Sequence, residues 1–214
     1  MAYYYFPSCK VSATYPKSSR MLSEYIYHKF NIEPVGCCRI NFNQLTSDDI
    51  AIVTCNNCAA IIQENTPAAI KFAWEIINED PTFPLKDYSC ERMTIQDCWI
   101  SKENIHQQTA IRSLLKKMNI EIEELDNNHE NSIYCGKHLL SKCNQSNLSL
   151  APKKYENHKQ IFKSLSETDQ INYLKKYCET IPTEKVICSC RSCAEGITIG
   201  GSKGIHIIEL LFSE

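Results

Sequence analysis

No apolar run in this chain is long enough to cross a bilayer. The longest stretches, such as residues 205–212, fall well short of the about 20 residues that a spanning helix needs. The opening Met-Ala-Tyr-Tyr-Tyr-Phe-Pro-Ser-Cys lacks both the basic segment and the apolar core of a secretory signal. Surplus charge is missing too: 23 basic against 25 acidic residues leave a net of −2. The basic residues are scattered, so nucleic acid is not an expected partner. The six histidines form no His-x-x-x-His pair, and no ferredoxin-type cysteine run occurs. Residues 200–204, Gly-Gly-Ser-Lys-Gly, lack the phosphate-loop spacing and precede a strand where such a loop follows one, so they read as a turn. The expectation is a soluble, cytoplasmic protein with no membrane span.

Against these absences stand 13 cysteines in 214 residues. A chain of this length buries about 70% of its unfolded surface and needs no disulfide staples to fold. Cytosolic thiols are kept reduced, and a rich cysteine pattern there points to metal or redox chemistry. The odd count also fits poorly with a framework of disulfides alone.

The chain reads as one plan carried twice. Copy one opens with an aromatic strand at residues 2–6 and reaches Cys9, followed by a helix from about Ser18 to Phe30. Gly36-Cys37-Cys38 comes next. A strand at residues 49–54 then delivers Cys55-Asn56-Asn57-Cys58, and a helix is expected to start at Ala59. A further helix is predicted over about 67–78, with Pro67 in its first turn. Pro81-Thr82-Phe83-Pro84 is the candidate boundary. Copy two begins with a strand at residues 93–97 ending at Cys98, and continues with a helix over about 104–118. Asn119-Ile120-Glu121-Ile122 stands beside Asn31-Ile32-Glu33-Pro34 of copy one, and Tyr134-Cys135-Gly136 follows. After a helical insert at about 150–180, in which Ser166-x-x-Asp169 caps a helix, a strand at residues 185–187 runs into Cys188-Ser189-Cys190-Arg191-Ser192-Cys193. Alternating strands and helices predict an α/β fold of two duplicated Rossmann-like lobes, residues 1–84 and 85–214, with mostly parallel sheets. Sites in such sheets lie beyond the carboxyl ends of strands, where these cysteines fall.

Two cysteines three apart at a turn into a helix can bring both sulfurs to one centre, a spacing shared by zinc sites, iron–sulfur clusters and dithiol redox enzymes. The number of thiols decides further. A tetrahedral zinc ion has no place for a fifth thiolate, whereas a cluster offers several irons. Cys9, Cys37, Cys38, Cys55 and Cys58 are therefore expected to hold an iron–sulfur cluster. The alternatives are a zinc-binding structural or interaction module and a metal-free dithiol/disulfide switch at Cys55 and Cys58. Cys90, Cys143 and Cys178 match no motif and read as structural. His206, within an apolar strand, reads as a core histidine or one supporting a ligand from behind, and not as a ligand itself. Lys10 and Arg39 stand beside expected ligands, where cations stabilise thiolate charge or simply face solvent.

The order Cys…Cys-Cys…Cys-x-x-Cys, carried twice on βα units, resembles the cysteine-rich CCG-domain family, which includes the cysteine-rich subunit of heterodisulfide reductase. Tyr4-Tyr5-Phe6-Pro7-Ser8-Cys9 resembles that family's start, and residues 204–211 resemble its last strand and helix. The resemblance implies a [4Fe-4S] cluster, noncubane in the disulfide-reductase branch, on Cys9, Cys37, Cys38, Cys55 and Cys58. It further implies an oxidoreductase or a subunit of one, fed by a flavoprotein or ferredoxin-like subunit. Two departures limit it: Arg39 replaces the glycine after the first pair, and Tyr134 replaces the first cysteine of the second pair. The second lobe keeps Cys98, Cys135, Cys190 and Cys193, a set that suits a second cluster, zinc or no metal, with Cys188 as a candidate for the missing ligand.

Overall fold

Ala51-Ile52-Val53 and Val186-Ile187 are fully buried, as central strands covered on both faces of a parallel sheet must be. The computed structural model describes residues 1–212. Its first half contains β1 (Tyr3–Phe6), α1 (Cys9–Thr14), α2 (Pro16–Phe30), β2 (Ile50–Val53), α3 (Asn56–Asn65), β3 (Ala69–Phe72) and α4 (Ala73–Glu79). The second half contains β4 (Glu91–Gln96), α5 (Ile105–Lys117), β5 (Ile120–Glu124), α6 (Gln145–Leu150), α7 (Pro152–Glu156), α8 (Glu167–Cys178), β6 (Lys185–Cys188), α9 (Arg191–Gly200), β7 (Lys203–His206) and α10 (Ile207–Leu211). The protein is thus α/β, with one three-stranded sheet in the order β1-β2-β3 and one four-stranded sheet in the order β5-β4-β6-β7, parallel throughout. No helix among the described residues is long and apolar enough to cross a membrane.

The two sheets repeat one order. The fourth strand of the second half has a vestige in the first, a single parallel bridge between Tyr5 and Pro34. Proline offers no N–H to lengthen that ladder, while Ile120–Glu124 pairs along its whole length with β4. Asn31 and Asn119 close the preceding helices in the same left-handed conformation, φ 54° and 55°, which asparagine tolerates better than most residues. Contacts between the halves are reciprocal: α4 packs on α5 and α10 on α2, while α1 meets α9 and α3 meets the 3₁₀ turn Trp99–Ser101. Such reciprocity is what an approximate two-fold between duplicated units produces. It turns the carboxyl ends of the central strands towards each other.

Two expectations need correction. The helix predicted from Pro67 instead begins at Ala73, because residues 69–72 form β3, with Ala51 opposite Ile70 and Val53 opposite Phe72. The Glu75 carboxylate accepts the Phe72 N–H at 2.9 Å and caps α4. Glu209 does the same for the N–H of His206 ahead of α10. The second correction is α1, a six-residue helix that begins at Cys9 ahead of the expected one.

The helices between β5 and β6 do not all stay with their own half. α8 packs on α9, whereas α6 and α7 lie on α3 of the first half. The Glu64 carboxylate accepts the N–H groups of Lys153 and Lys154, both at 2.8 Å, which neutralises orphan donors at the start of α7. Asn65 donates to the Leu150 carbonyl at 2.5 Å.

Candidate metal centres

The tightest thiol group is in the second half. The sulfurs of Cys98, Cys135, Cys190 and Cys193 all lie within 4.8 Å of one another. Cys98 Sγ is 3.4 Å from Cys135 Sγ, which is 3.8 Å from Cys190 Sγ. Among the described residues, no other group of three or more histidine, cysteine or acidic side chains is gathered so closely. These four thiols can hold a metal ion.

Each reaches the centre for a local reason. Cys98 follows β4 and is set by its neighbour Asp97, a buried carboxylate that binds Arg112 Nη2 at 2.7 Å and the His129 N–H at 2.9 Å. The Asp97 N–H donates to Asn128 Oδ1 at 3.0 Å. Arg112 also donates from Nε to Glu124 at 2.6 Å. Cys135 depends on Gly136, at φ 52°, where a Cβ would stand 2.0 Å from the Ser192 carbonyl oxygen. Gly196, one turn further along α9, faces Gly136 in the same close approach. Cys190 and Cys193 flank the start of α9, where unpaired backbone N–H groups favour negative charge. Tyr134, in place of a cysteine, turns into the core and stacks on Tyr177 at 4.3 Å.

Crowding four thiols makes their protonation unequal. Hydrogen bonds from Cys135, Cys193 and Cys98 hold Cys190 well below the ordinary thiol range. Burial pushes Cys193 and Cys98 up, and the bond to Cys190 raises Cys135. Thiolate is the metal-binding form, so a metal held here would displace the remaining protons. Cys188 lies outside the group of four, at the buried end of β6 opposite His206.

The first-half thiols are arranged differently. Cys9, Cys38, Cys55 and Cys58 line a cavity of about 80 Å³ between the halves. Cys135 and Cys190 form part of its far wall, with His138, Tyr155 and Arg191. Cys38 and Cys58 are buried, Cys37 and Cys55 partly buried, and Cys9 exposed at the start of α1. The bond from Cys58 lowers Cys55 to about 7 and also lowers Cys38. Cys58 itself is raised by those bonds to Cys38 and Cys55. Cys9 is raised by burial and by its neighbours Cys37 and Cys38. Asn56, only 2% exposed, has neither amide atom hydrogen-bonded and lines this cavity and an adjoining one. Buried polar atoms without partners are uncommon, and here they border a space fit for a bound group.

No family model, curated protein or solved structure matches the chain.

Several residues of the site escape spacing arguments. Arg39 donates to Ser146 and, at 2.5 Å, to Asn147 Oδ1, so it fastens the first cysteine-pair loop to α6. Asn147 and Tyr155 of the insert line the cavity, and the Tyr155 hydroxyl donates to Asn57 Oδ1 at 2.5 Å. No periodicity or motif announces that α6 and α7 fold over the other half. The remaining cysteines divide: Cys178 is buried against α9, Cys143 is partly buried, and Cys90 is exposed in a turn at φ 61°.

Proposed function

We propose that this chain is an iron–sulfur redox protein of the CCG type, similar to the cysteine-rich subunit of heterodisulfide reductase, with two unlike metal centres. Cys9, Cys37, Cys38, Cys55 and Cys58 would hold a [4Fe-4S] cluster in the cavity between the halves. Cys98, Cys135, Cys190 and Cys193 would hold a single ion, zinc by preference.

The observation that carries this reading is the contrast in spacing. Four sulfurs bound at 2.3 Å to one tetrahedral ion stand about 3.8 Å apart, in the range of the second-half contacts of 3.4 and 3.8 Å. Four of the first-half thiols, Cys9, Cys38, Cys55 and Cys58, line a cavity and are not gathered as closely as the second-half four, while Cys37 is absent from that lining and bonds to Cys9. A cluster of several irons requires that arrangement, and its thiolates attach to different corners. The softness of thiolate ligands suits both zinc and iron–sulfur centres.

When bound, the cluster would supply one-electron chemistry, within the roughly −700 to +450 mV that such centres span. The protein's own residues then set its surroundings. Lys10 and Arg191 line the cavity, and Arg39 lies close enough to Cys38 to favour its thiolate. Tyr155, Val11 and Ile100 close it with apolar surface. Electrons would come from a flavoprotein or ferredoxin-like partner, and a disulfide is the substrate class that suits the reading. A zinc-only structural module accounts for the second centre but leaves the thiol-lined cavity and the unpaired Asn56 amide without a role.

The test is anaerobic purification followed by visible spectroscopy of variants. The parent protein is expected to be brown. Cys38→Ala should lose most of that absorbance, and Cys90→Ala should keep it. Full iron and an unchanged spectrum in Cys38→Ala would overturn the five-thiol assignment.

A further inference from the structure

Two of the four second-half sulfurs face the cavity between the halves. Cys135 and Cys190 line it, whereas Cys98 and Cys193 do not. We infer that Cys135 and Cys190 are a modification site, a pair that peroxide closes to a disulfide, with loss of the ion held by the second centre. The inference rests on the single-ion reading only for what is released.

Position carries the argument. Cys135 Sγ and Cys190 Sγ stand 3.8 Å apart, so side-chain movement of roughly 2 Å reaches the disulfide length of about 2.05 Å. The segments that carry them lie side by side, since a Cβ on Gly136 would meet the Ser192 carbonyl oxygen at 2.0 Å. Access then separates this pair from the rest. Cys98 is nearer to Cys135, at 3.4 Å, but it is fully buried, as is Cys193. Cys190 is partly exposed. The cavity of about 80 Å³ has room for a peroxide molecule, because a single water needs only about 10–15 Å³. An oxidant inside it meets Cys190 with Cys135 alongside. A cluster seated in that cavity would close the approach, so the pair is open to oxidation in chains that lack the cluster.

Ion-bound cysteines are thiolates, the nucleophilic form. Cys190 Sγ attacks one peroxide oxygen and the O–O bond breaks. The leaving hydroxide takes a proton to become water, and Cys190 is left as a sulfenic acid. Cys135 Sγ then attacks that sulfur, the S–O bond breaks, and a second hydroxide leaves as water after taking another solvent proton. Two thiolates, one hydrogen peroxide and two protons thus give one disulfide and two waters, with two electrons passing from sulfur to oxygen. Cys98 and Cys193 remain, and two sulfurs do not fill the four places of a structural zinc ion.

The experiment uses the full chain from iron-starved, zinc-supplied cells, with its zinc measured first. Hydrogen peroxide is added beside a chromogenic zinc chelator, free thiols are blocked, and the tryptic peptides are mapped by mass spectrometry. Cleavage after Arg191 parts Cys190 from Cys193, and peptides 93–102 and 118–137 carry Cys98 and Cys135 singly. Peptide 118–137 should be linked to peptide 186–191 through Cys190 and not Cys188, with release of about one zinc per chain. Dithiothreitol should restore both thiols and zinc binding. Cys135→Ser should abolish the link, and Cys90→Ser should leave link and release unchanged. A Cys98–Cys135 link as the main product, or zinc loss with no link, overturns the inference. The Cys135–Cys190 link in a chain that never held zinc would keep the pair and remove the single-ion reading. Zinc held firmly, with no link formed, would do the reverse.

Discussion

Tyr134 decides how many thiols the second centre can have. The first half carries Cys37 at the corresponding place, and the second carries a phenol that packs between Tyr177 and Gly196. The chain therefore supplies four close sulfurs there and not five, as a single tetrahedral ion requires. Gly136 is the residue on which this closeness depends. Gly136→Ala would force an alanine into φ 52° and drive its methyl into the Ser192 carbonyl. The backbone strain alone costs about 1–3 kcal/mol. The variant should melt earlier and, under the proposed two-centre reading, lose metal from the second half while the first-half chromophore persists; thermal melts with metal analysis check this. Unequal thiols also predict reactivity in the metal-free chain. Cys55, lowered to about 7, gains its thiolate as pH rises through neutrality, whereas Cys58, raised by its bonds to Cys38 and Cys55, stays protonated. Iodoacetamide labelling followed by mass spectrometry should show Cys55 modified increasingly through neutral pH and before Cys58. Equal labelling of the two would contradict the hydrogen-bond pattern.

At the scale of elements, the strands, most helices and the strand-end position of the cysteines are legible in the sequence. Alternation of apolar strands with amphipathic helices, and cysteines placed after them, leaves few α/β arrangements open. β3 reads as helix because Ala69-Ile70-Lys71-Phe72 runs straight into Ala73-Trp74-Glu75 with no breaker. Continuity of the apolar pattern hides the change from strand to helix, and the pairing with β2 that decides it is long-range. The matching stretch at Gly204-Ile205-His206 is easier, since glycines set it off from α9. The Arg112–Asp97 pair behind Cys98 is invisible for a similar reason, being local in space and 15 positions apart in sequence. Its side chains are 12% and 2% exposed, so Arg112→Met would strand a buried carboxylate. Breaking such a pair typically costs about 3–5 kcal/mol. Urea titration should show that loss, and an effect below about 1 kcal/mol would mean that Asn128 and the His129 N–H suffice to hold Asp97.

Across the whole molecule, duplication and asymmetry act together. The approximate two-fold brings four strand ends to one region, so thiols from residues 9 to 193 share a neighbourhood. The insert then breaks the symmetry. α6 and α7 cross to the first half, fastened by Arg39, Glu64 and Asn65, and place Asn147 and Tyr155 over its cavity. The thiols of the second centre instead close on themselves. The first-half thiols line a chamber between the halves, and Cys135 and Cys190 of the compact second-half group form part of its far wall. The most direct test is the metal and acid-labile sulfide content of the anaerobically purified chain. The account predicts about four irons and four sulfides together with about one zinc per chain. Zinc alone, or iron without sulfide, would contradict it.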